Sequence, residues 1–462
     1  MASSFGGINT ALTSLYAQRR GLDVTGQNIA NANTEGYTRQ RVDMQSQVGA
    51  TVPAVWARAD GLGTGVAVSD VQRLRSEFLE GRARTEHAQS AYLTNQTAAY
   101  NSIEDVFAEP SDTALQAQFQ DMWAAWGDVA NNPNDPAARS ALLQQSATVV
   151  DGLRSAHGSL AGQWADTRNQ LTAYTSEVNT TASAIAELNS SIVLANASGV
   201  KVNELEDQRD LHVMKLAELT GATASRRPNG AVDVFVGGST LVSEFTARSI
   251  EVAGASTLGA QKSQPVHLRW TDTGTPAPAG GTMGAMSDTL TSVIPGISDA
   301  LDGVAAKLAE TVNAAHTPAY GLDGVNGRPF FSGDTAETIA VAIDLDSPEQ
   351  VGTAATGGTF DGSVADTLSN SGALTDGPDK AYQNMIAKLG VASQTAGRRA
   401  DIQSNVTLQV DAARESEAGV NLDEEMTNLL TYQRGYEAAS RVLTTIDAML
   451  DQLINRTGLV GR

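Results

Sequence analysis

The chain has 462 residues, enough for about three domains, and only 5% of them are aromatic. Its 52 acidic and 31 basic residues give a formal charge of −21, which favours solubility and disfavours general binding to nucleic acid or anionic membranes. There is no cysteine, which excludes disulfides, thiolate metal sites and cysteine nucleophiles. The N-terminus lacks the pattern of a secretory signal and no apolar run reaches transmembrane length, so composition alone predicts a cytoplasmic protein.

The first periodic segment lies between residues 8 and 29. Its apolar residues are alternately four and three apart, with gaps at Arg19 and Gly26, which is the spacing of a coiled-coil seam. This N-terminal seam consists of Ile8, Leu12, Leu15, Leu22 and Ile29. The helix should end in the polar stretch that follows, since Asn competes for backbone hydrogen bonds and Gly accepts a left-handed cap.

The next two hundred or so residues alternate between a short extended stretch and long helical patterns. Residues 37–68 are predicted to be extended, with a turn at "GLGTGVAV" leading into a strand. Helices are predicted from about Phe78 to Phe107, and again within 109–119 with Ser111 or Asp112 as the cap. Pro136 then begins the longest pattern in the chain, followed by a break at 197–201 and a helix over 202–219.

The helix beginning at Pro136 carries a heptad pattern across about sixty residues, which would span roughly 90 Å. Its apolar seam is Leu153, Leu160, Trp164, Leu171, Tyr174, Val178, Ile185, Leu188 and Ile192. A helix of this length predicts an elongated molecule.

Two segments differ from this helical character. Residues 221–283 combine alternating apolar positions with Asn-Gly and Gly-Gly turns, and predict a small β region. Residues 317–377 are rich in Gly, Asp and Thr and predict a second β-containing insertion. Helices are predicted between them, over 288–315, and after them, over 380–417.

The last predicted helix begins at "VNLDEE", with Asn421 or Asp423 as its cap and acidic residues complementing the helix dipole. It carries a second seam, which comprises Leu422, Leu429, Tyr436, Leu443, Ile446, Leu450 and Leu453. Both ends of the chain therefore carry coiled-coil-like seams and are natural partners for each other. Because an isolated helix pair of this size is marginal, we expect the termini to become ordered when they pack against copies in neighbouring subunits.

Patterns that would indicate catalysis or cofactor binding do not occur. HExxH, GxxxxGK[ST] and GxSxG do not occur, and the five histidines lie far apart in sequence. The glycines of "GLGTGV" lead into a strand, whereas a dinucleotide fingerprint must open a helix. Asp344 and Asp346 lack the remainder of a calcium loop and are better explained as solvated turn residues. We therefore expect no catalytic residue, no cofactor and no metal site.

Several stretches closely resemble flagellar rod, hook and hook-associated axial proteins, and the hook-associated members most of all. The terminal stretches are "LDVTGQNIANANTEGYTRQR" and "GVNLDEEMTNLLTYQRGYEAASRVLTTIDAMLDQLI". The internal ones are "GTGVAVSDVQRLRSEFL", "WAAWGDVANNPNDPAARSALL" and "NELEDQRDLHVMKLAEL". Together they cover both ends and much of the helical middle of the chain.

The resemblance implies a mainly α fold with β insertions, elongated and multidomain. The inner coiled-coil layer would be 1–40 plus 420–462, the helical middle layer 41–220, 284–316 and 378–419, and the outer β regions 222–283 and 317–377. Asn31, Asn33, Thr34 and Gly36 would stop the inner helix, and Tyr37 and Arg39 would anchor the connector to the next layer. The implied function is a structural subunit of the junction between hook and filament.

The resemblance also revises the expected location and partners. Such proteins leave the cell through the flagellar type III export apparatus with a chaperone, without a cleaved signal, and assemble outside it. The partners would be further copies of the chain, the hook protein and the next junction protein, with no nucleic acid and no membrane. Two alternatives stay open: a hook or rod subunit with the same termini, and, more remotely, an enzyme carried in a β insertion.

Overall fold

The computed structural model describes residues 4–48, 63–357 and 361–455. Helices dominate it, as the sequence predicts, and they carry small antiparallel sheets between them. In chain order the helices are α1 (Ser4–Ala30), α2 (Glu77–Phe107), α3 (Leu115–Asn131), α4 (Pro136–Ala197), α5 (Asn203–Thr220), α6 (Gly281–Asp288), α7 (Ile294–His316), α8 (Ser363–Ser369), α9 (Pro378–Ala418) and α10 (Leu422–Asn455). One π-helical turn, Thr289–Val293, joins α6 to α7, and 3₁₀ turns lie at Leu258–Ala260, Pro348–Gln350 and Asn370–Ala373.

The strands form four antiparallel groups. They are β1 (Gln40–Gln47), β2 (Gly65–Arg73), β3 (Thr223–Arg226), β4 (Val232–Val236), β5 (Ser239–Ser243), β6 (Thr246–Ala247), β7 (Ile250–Ala253), β8 (His267–Trp270), β9 (Phe331–Ser332) and β10 (Ala340–Val341). β1 pairs with β2 and β9 with β10, whereas β3 to β6 form one meander and β7 pairs with β8. In the first pair Gln40 lies opposite Arg73, and a bulge follows Asp43.

α4 is the longest helix of the described chain, with 62 residues, or about 93 Å at the usual rise. Pro136 occupies its first turn, and Asp135 caps it by accepting a hydrogen bond from the backbone N–H of Ala137 at 2.9 Å. Most of the predicted heptad residues are buried along its length, and Tyr174 and Leu188 are half-buried. Trp164 lies fully in the core and donates to the carbonyl of Leu290 in the π-helical turn at 2.9 Å. The residues of the heptad pattern thus form the central row of the core.

Two asparagines of α4 hold the small sheets on this helix. The Asn179 side chain donates to the carbonyl of Ile250 and accepts from its N–H, both at 2.9 Å, as a neighbouring strand would. Buried Asn189 makes the corresponding pair of bonds with Val232, at 2.8 and 3.0 Å. Because each amide bonds to both the N–H and the carbonyl of one strand residue, the β region is fixed along the helix at two points.

Two predicted helix starts are corrected by the structure. Neither Ser111 nor Asp112 caps α3: the helix begins at Leu115 after an extended Ala114, and the Ser111 hydroxyl instead accepts from the N–H of Thr113 at 3.1 Å. A hydrogen bond between a side-chain hydroxyl and a nearby backbone N–H stabilises a tight turn and so competes with formation of the first turn of a helix. The helix expected from 288 begins earlier, at Gly281, because α6 and the π-helical turn continue directly into α7.

The segment between α7 and α9 is mostly irregular and is held by two buried polar side chains. Arg139 of α4 donates to the Thr353 hydroxyl at 2.7 Å, and it also contacts the Val351 carbonyl. His316, the last residue of α7, accepts from the N–H of Gly352 at 2.8 Å. Burial lowers the pKa of His316 to about 4, so the ring stays neutral and can accept this bond.

His87, on α2, contacts carboxylates of two other helices, α5 and α9. Its Nδ1 lies 3.0 Å from a carboxylate oxygen of Glu218 on α5, and its Nε2 lies 3.0 Å from the Asp411 carboxylate on α9. Arg414 also faces this group, pairing with Glu80 on α2 and with Asp411. Hydrogen bonding to Glu218 raises the pKa of His87 above its ordinary value of 6.5, with Asp411 adding to the effect and burial opposing it.

This arrangement predicts a pH-dependent contribution to stability. Because the folded-state pKa of His87 is raised, its contribution is complete below pH 6.5 and is lost as pH rises through the raised value. The difference in melting temperature between the wild type and His87→Gln should therefore be larger at about pH 5.5 than at about pH 8.5. His212, whose pKa is lowered instead, provides the control variant His212→Gln. A difference that stayed constant with pH would contradict the prediction.

Two negative observations apply to the described ranges. Within 4–48, 63–357 and 361–455, no helix is both long and apolar enough to span a bilayer. Within the same ranges, no group of three or more His, Cys, Asp or Glu side chains is arranged to hold a metal ion.

Candidate assembly site at the paired terminal helices

The two terminal helices pack against each other along positions where side chains are small. A Cβ added at Gly21 would lie 2.7 Å from a ring carbon of Tyr432, and one added at Gly435 would lie 2.8 Å from Cδ of Gln18. Gly7 similarly lies against Ile446. Glycine therefore sets how closely α1 and α10 approach, and this contact brings both ends of the chain together.

The close contact at Gly21 can be tested against a glycine in the same helix that faces open space. Gly26 has no heavy atom within 4 Å of an added Cβ. Gly26→Ala should stabilise α1 by up to about 1 kcal/mol through helix propensity. Gly21→Ala should instead destabilise the helix pair by about 1–3 kcal/mol, because the Tyr432 ring must move. Amide exchange in α1 and α10 measures both effects, and equal protection in the two variants would contradict this account.

The contact between α1 and α10 covers only some of the apolar residues of these two helices. Among the predicted seam residues, the half-buried ones are Ile8, Leu15, Leu22, Ile29, Leu429, Leu443, Ile446 and Leu450. The exposed ones are Leu12, Leu422, Tyr436 and Leu453. Further apolar side chains outside the two predicted seams are also exposed, namely Tyr16, Met426, Leu430, Val442, Met449 and Ile454. The pair thus presents an apolar surface, which is a typical property of interaction sites.

The polar stretch after α1 ends the helix with local hydrogen bonds. The Asn31 side chain donates back to the carbonyl of Gln27 at 3.0 Å, and the Thr34 hydroxyl donates to Asn31 Oδ1 at 3.2 Å. Gly36 adopts a φ of 77°, which suits glycine, and lies beside Leu211 of α5. Asn33 is exposed. The four residues expected to stop the helix therefore occupy the turn that follows it.

Asn28, in the last turn of α1, is the centre of a buried polar cluster. Its Nδ2 donates to the Gln40 carbonyl at 2.8 Å and to Glu425 at 3.0 Å. Its Oδ1 accepts from the Gln40 N–H at 3.0 Å and from the Tyr37 hydroxyl at 2.8 Å. All four hydrogen-bonding positions of the amide are therefore used. Burial, together with Asp207, raises the pKa of Tyr37, so its phenol stays protonated and can donate.

The segment between α1 and β1, residues 31–39, is the connector. Arg39 links it to the start of α10. Its guanidinium pairs with Glu425 at 2.7 Å and with Glu424 at 2.8 Å, and only 2% of the Glu425 side chain is exposed. The Arg39 N–H also donates to the carbonyl of Ala418, at the end of α9, at 3.0 Å. One residue thus holds the start of α10 and the end of α9 to the chain leaving α1.

A second cluster joins the connector to α5. Arg73, at the end of β2, pairs with Asp207 and Asp210, both at 2.8 Å, and also contacts Glu206. The other oxygen of Asp207 accepts from the N–H of Thr38 at 3.2 Å. Burial acts to raise the pKa of Asp210, but the positive charges of Arg75 and Arg73 outweigh it and keep that pKa below its ordinary value. The terminal helices are thereby fixed to the body through charged groups.

The sequence predicts a role for Tyr37 and Arg39 but not for most other residues of the two polar clusters around them. These further residues are Asn28, Gln40, Arg73, Asn203, Asp207 and Glu425. Glu425 is also one of the acidic residues predicted to complement the dipole of α10. Asn203 donates to Gln40 Oε1 at 3.0 Å across 163 positions of sequence. The sequence signal that could have identified these residues is a polar side chain on an otherwise apolar helix face, since buried polar groups require partners.

Comparison with known proteins agrees with these features. The family model described as "Flagellar hook-associated protein FlgK helical domain" matches residues 100–331, which is half of the chain. The model "Flagella basal body rod protein" matches residues 8–38, and "Flagellar basal body rod FlgEFG protein C-terminal" matches 414–456. The two rod models therefore fall on the paired terminal helices and the connector.

Complete proteins and a solved structure are also similar to the chain. Flagellar hook-associated protein 1 of Bacillus subtilis is 28% identical, with 100% of both chains covered. The protein of the same name from Escherichia coli is 26% identical over 97% of this chain and 99% of its own. The solved flagellar hook junction protein FlgK from Burkholderia pseudomallei aligns with 55% of this chain and 46% of its own, at 23% identity and a TM-score of 0.49.

The matched helical domain, the rod-type termini at both ends and the resulting fold agree, and the chain belongs to the flagellar hook-associated protein FlgK family.

Proposed function

We propose that this chain is a structural subunit of the bacterial flagellum that forms the hook–filament junction by self-assembly through its paired terminal helices. The observation that carries the proposal is the apolar surface left exposed on α1 and α10 after they have packed together. Copies of the same pair in neighbouring subunits would cover this surface and recover its hydrophobic free energy.

The predicted seam residues take their part in this proposal as packing groups. Exposed Leu12, Leu422, Tyr436 and Leu453 would contact neighbouring copies. Half-buried Leu15, Leu22, Leu429 and Leu443, with Ile8, Ile29, Ile446 and Leu450, would hold the pair within one subunit and fill the edges of the contact. The turn at Asn31–Gly36, with Tyr37 and Arg39, would fix the angle at which the body leaves this inner pair.

In the proposed arrangement the chain begins in an inner layer, runs outward and returns to the inner layer at its C-terminal end. Residues 1–40 with 420–462 form an inner layer, and 41–220, 284–316 and 378–419 form a helical middle layer. The β region at 222–283 lies outside it, and the insertion at 317–377 is a separate outer element. Both crossings between the inner and middle layers occur at the connector, where Arg39 bonds to the end of α9 and the start of α10.

The proposed partners are other copies of the chain, the hook protein and the next junction protein. A flagellar chaperone and the type III export apparatus would deliver the chain outside the cell without a cleaved signal peptide. We propose no enzymatic activity, because the charged and polar groups of the terminal cluster are engaged in pairs that hold helices together.

A deletion in the native bacterium tests the function, with electron microscopy of the cells and assay of secreted flagellin. Bare hooks with flagellin released to the medium are the expected result. Missing hooks would instead indicate a rod or hook subunit, which the two terminal family matches make the nearest alternative. Normal filaments would contradict any axial role.

A further inference from the structure

An open apolar groove runs between α2, α7 and α9, away from the terminal helices. It consists of two adjoining cavities of about 590 and 490 Å³ that share Tyr100, Asn384, Lys388 and Ala392. Val391 lies in the groove wall with 65% of its surface exposed. The space is therefore large enough for an aliphatic side chain with its flanking backbone, and it offers that side chain an apolar contact.

Positive charges stand in the lining of this groove. Lys388 and Arg399 are both exposed there, and neither has a salt-bridge partner among the described residues. Cations are in the minority in this chain, with 31 basic against 52 acidic residues. The groove therefore combines apolar contact with unneutralised positive charge, and it fits a ligand that is apolar in the middle and acidic on both sides.

The chain carries such a segment in the loop after β10. Leu345 is 40% exposed and lies between Asp344 and Asp346, both exposed. The loop has a fixed shape, because the Asp344 carboxylate accepts from the N–H of Asp346 at 3.1 Å and its carbonyl from the N–H of Ser347 at 2.9 Å. Neither aspartate forms a salt bridge within the described chain. A preordered loop loses little conformational entropy when it binds.

The groove and the segment that follows the loop contact opposite ends of α7 within one chain. Gly296 and Ile297, in the first turn of α7, line the groove, whereas His316, the last residue of α7, bonds to Gly352, six residues after Asp346. Twenty residues of helix separate these two positions, which corresponds to about 30 Å. We therefore look for a match between the groove of one copy and the loop of another.

We propose that the α2–α7–α9 groove of one subunit receives the Asp344–Leu345–Asp346 loop of a second copy. Leu345 packs on Val391, and the two aspartates pair with Lys388 and Arg399. Two different surfaces meet in this contact, so it propagates from subunit to subunit into a ring or a helical row. The proposal rests on the proposed function, because it requires the copies to assemble, and it adds a contact outside the terminal helices.

The lack of native cysteine allows a direct test by disulfide trapping. Flagella would be isolated from cells that express a double variant, Leu345→Cys with Val391→Cys, and mildly oxidised before non-reducing electrophoresis. Species of two or more chains are expected from the double variant and not from either single variant. Leu194→Cys with Val391→Cys is the control, since Leu194 is more accessible than Leu345, at 71% against 40% exposed, but lies near the end of α4.

Charge reversal provides an independent readout in case the cysteines disturb assembly. Asp344→Lys with Asp346→Lys should lower the amount of this chain retained at the junction about fivefold, and adding Lys388→Glu with Arg399→Glu should restore it. Retained chains that give no cross-linked species, or a reversal that the second pair does not rescue, would overturn the groove contact and leave the junction function intact. Absence of the wild-type chain from isolated junctions would overturn both.

Discussion

Replacing Glu425 with Ala should destabilise the attachment of α10 by about 3 kcal/mol, whereas replacing Glu424 should cost less than about 1 kcal/mol. Both carboxylates pair with Arg39, at 2.7 and 2.8 Å. They differ in burial, since the exposed fraction of the side chain is 2% for Glu425 and 59% for Glu424. Removing the buried partner leaves Arg39 without its enclosed carboxylate and takes an acceptor from Asn28.

Hydrogen exchange of the two variants would measure this difference. Loss of amide protection is expected in Glu425→Ala over residues 28–40 and 422–430, with little change in α4, whose core does not include this cluster. The Glu424→Ala variant is the matched control, because it changes the same charge beside the same arginine. Equal loss of protection in both variants would show that burial of the pair has no special effect.

Placing an aspartate at Met449 should abolish assembly while leaving the monomer folded. Met449 is 59% exposed on α10, so the substitution disturbs no core. In an assembled row, however, the carboxylate would be buried against an apolar neighbour without a partner, at a cost of several kcal/mol in each contact. Cells with Met449→Asp should therefore show bare hooks and release flagellin.

The control for this variant is Thr444→Asp, five residues earlier in the same helix and about 140° around the helix axis from Met449. Thr444 shares a face with Asp447 and Asp451, three and seven residues later, and all three are exposed. Thr444→Asp adds the same charge on this polar face, so normal junctions are expected. Circular dichroism of both purified variants checks that the fold is kept. Normal junctions with Met449→Asp would contradict the assembly surface.

Most helices could be predicted from the sequence because their signals are local. The heptad pattern after Pro136, together with the break at 197–201, predicted α4 and α5 to within a residue or two at most boundaries. The error at α3 was also local: Ser111 and Asp112 are typical capping residues, but the turn formed by Ser111 postponed the helix to Leu115. Propensity alone could not choose between these two uses of the same hydroxyl.

The β-containing segment after α7 shows a different limit. Its composition predicts a β-containing insertion, in which Asp344 and Asp346 are interpreted as solvated turn residues. The structure agrees that they are exposed, but it also shows Leu345 between them and an oppositely charged groove elsewhere on the molecule. A complementary pair of surfaces becomes visible only when both are placed in three dimensions.

The sequence by itself determined the family, the mainly helical fold and the two apolar seams at the ends of the chain, because motif, periodicity and helix ends depend on residues within a few turns of each other. Only the tertiary structure decided which part of each seam is covered and what holds the connector. Asn28 and Glu425 are 397 residues apart, and their bond exists only because α1 and α10 approach closely at Gly21 and Gly435. Burial and partner choice at such sites depend on long-range packing, which no local pattern encodes.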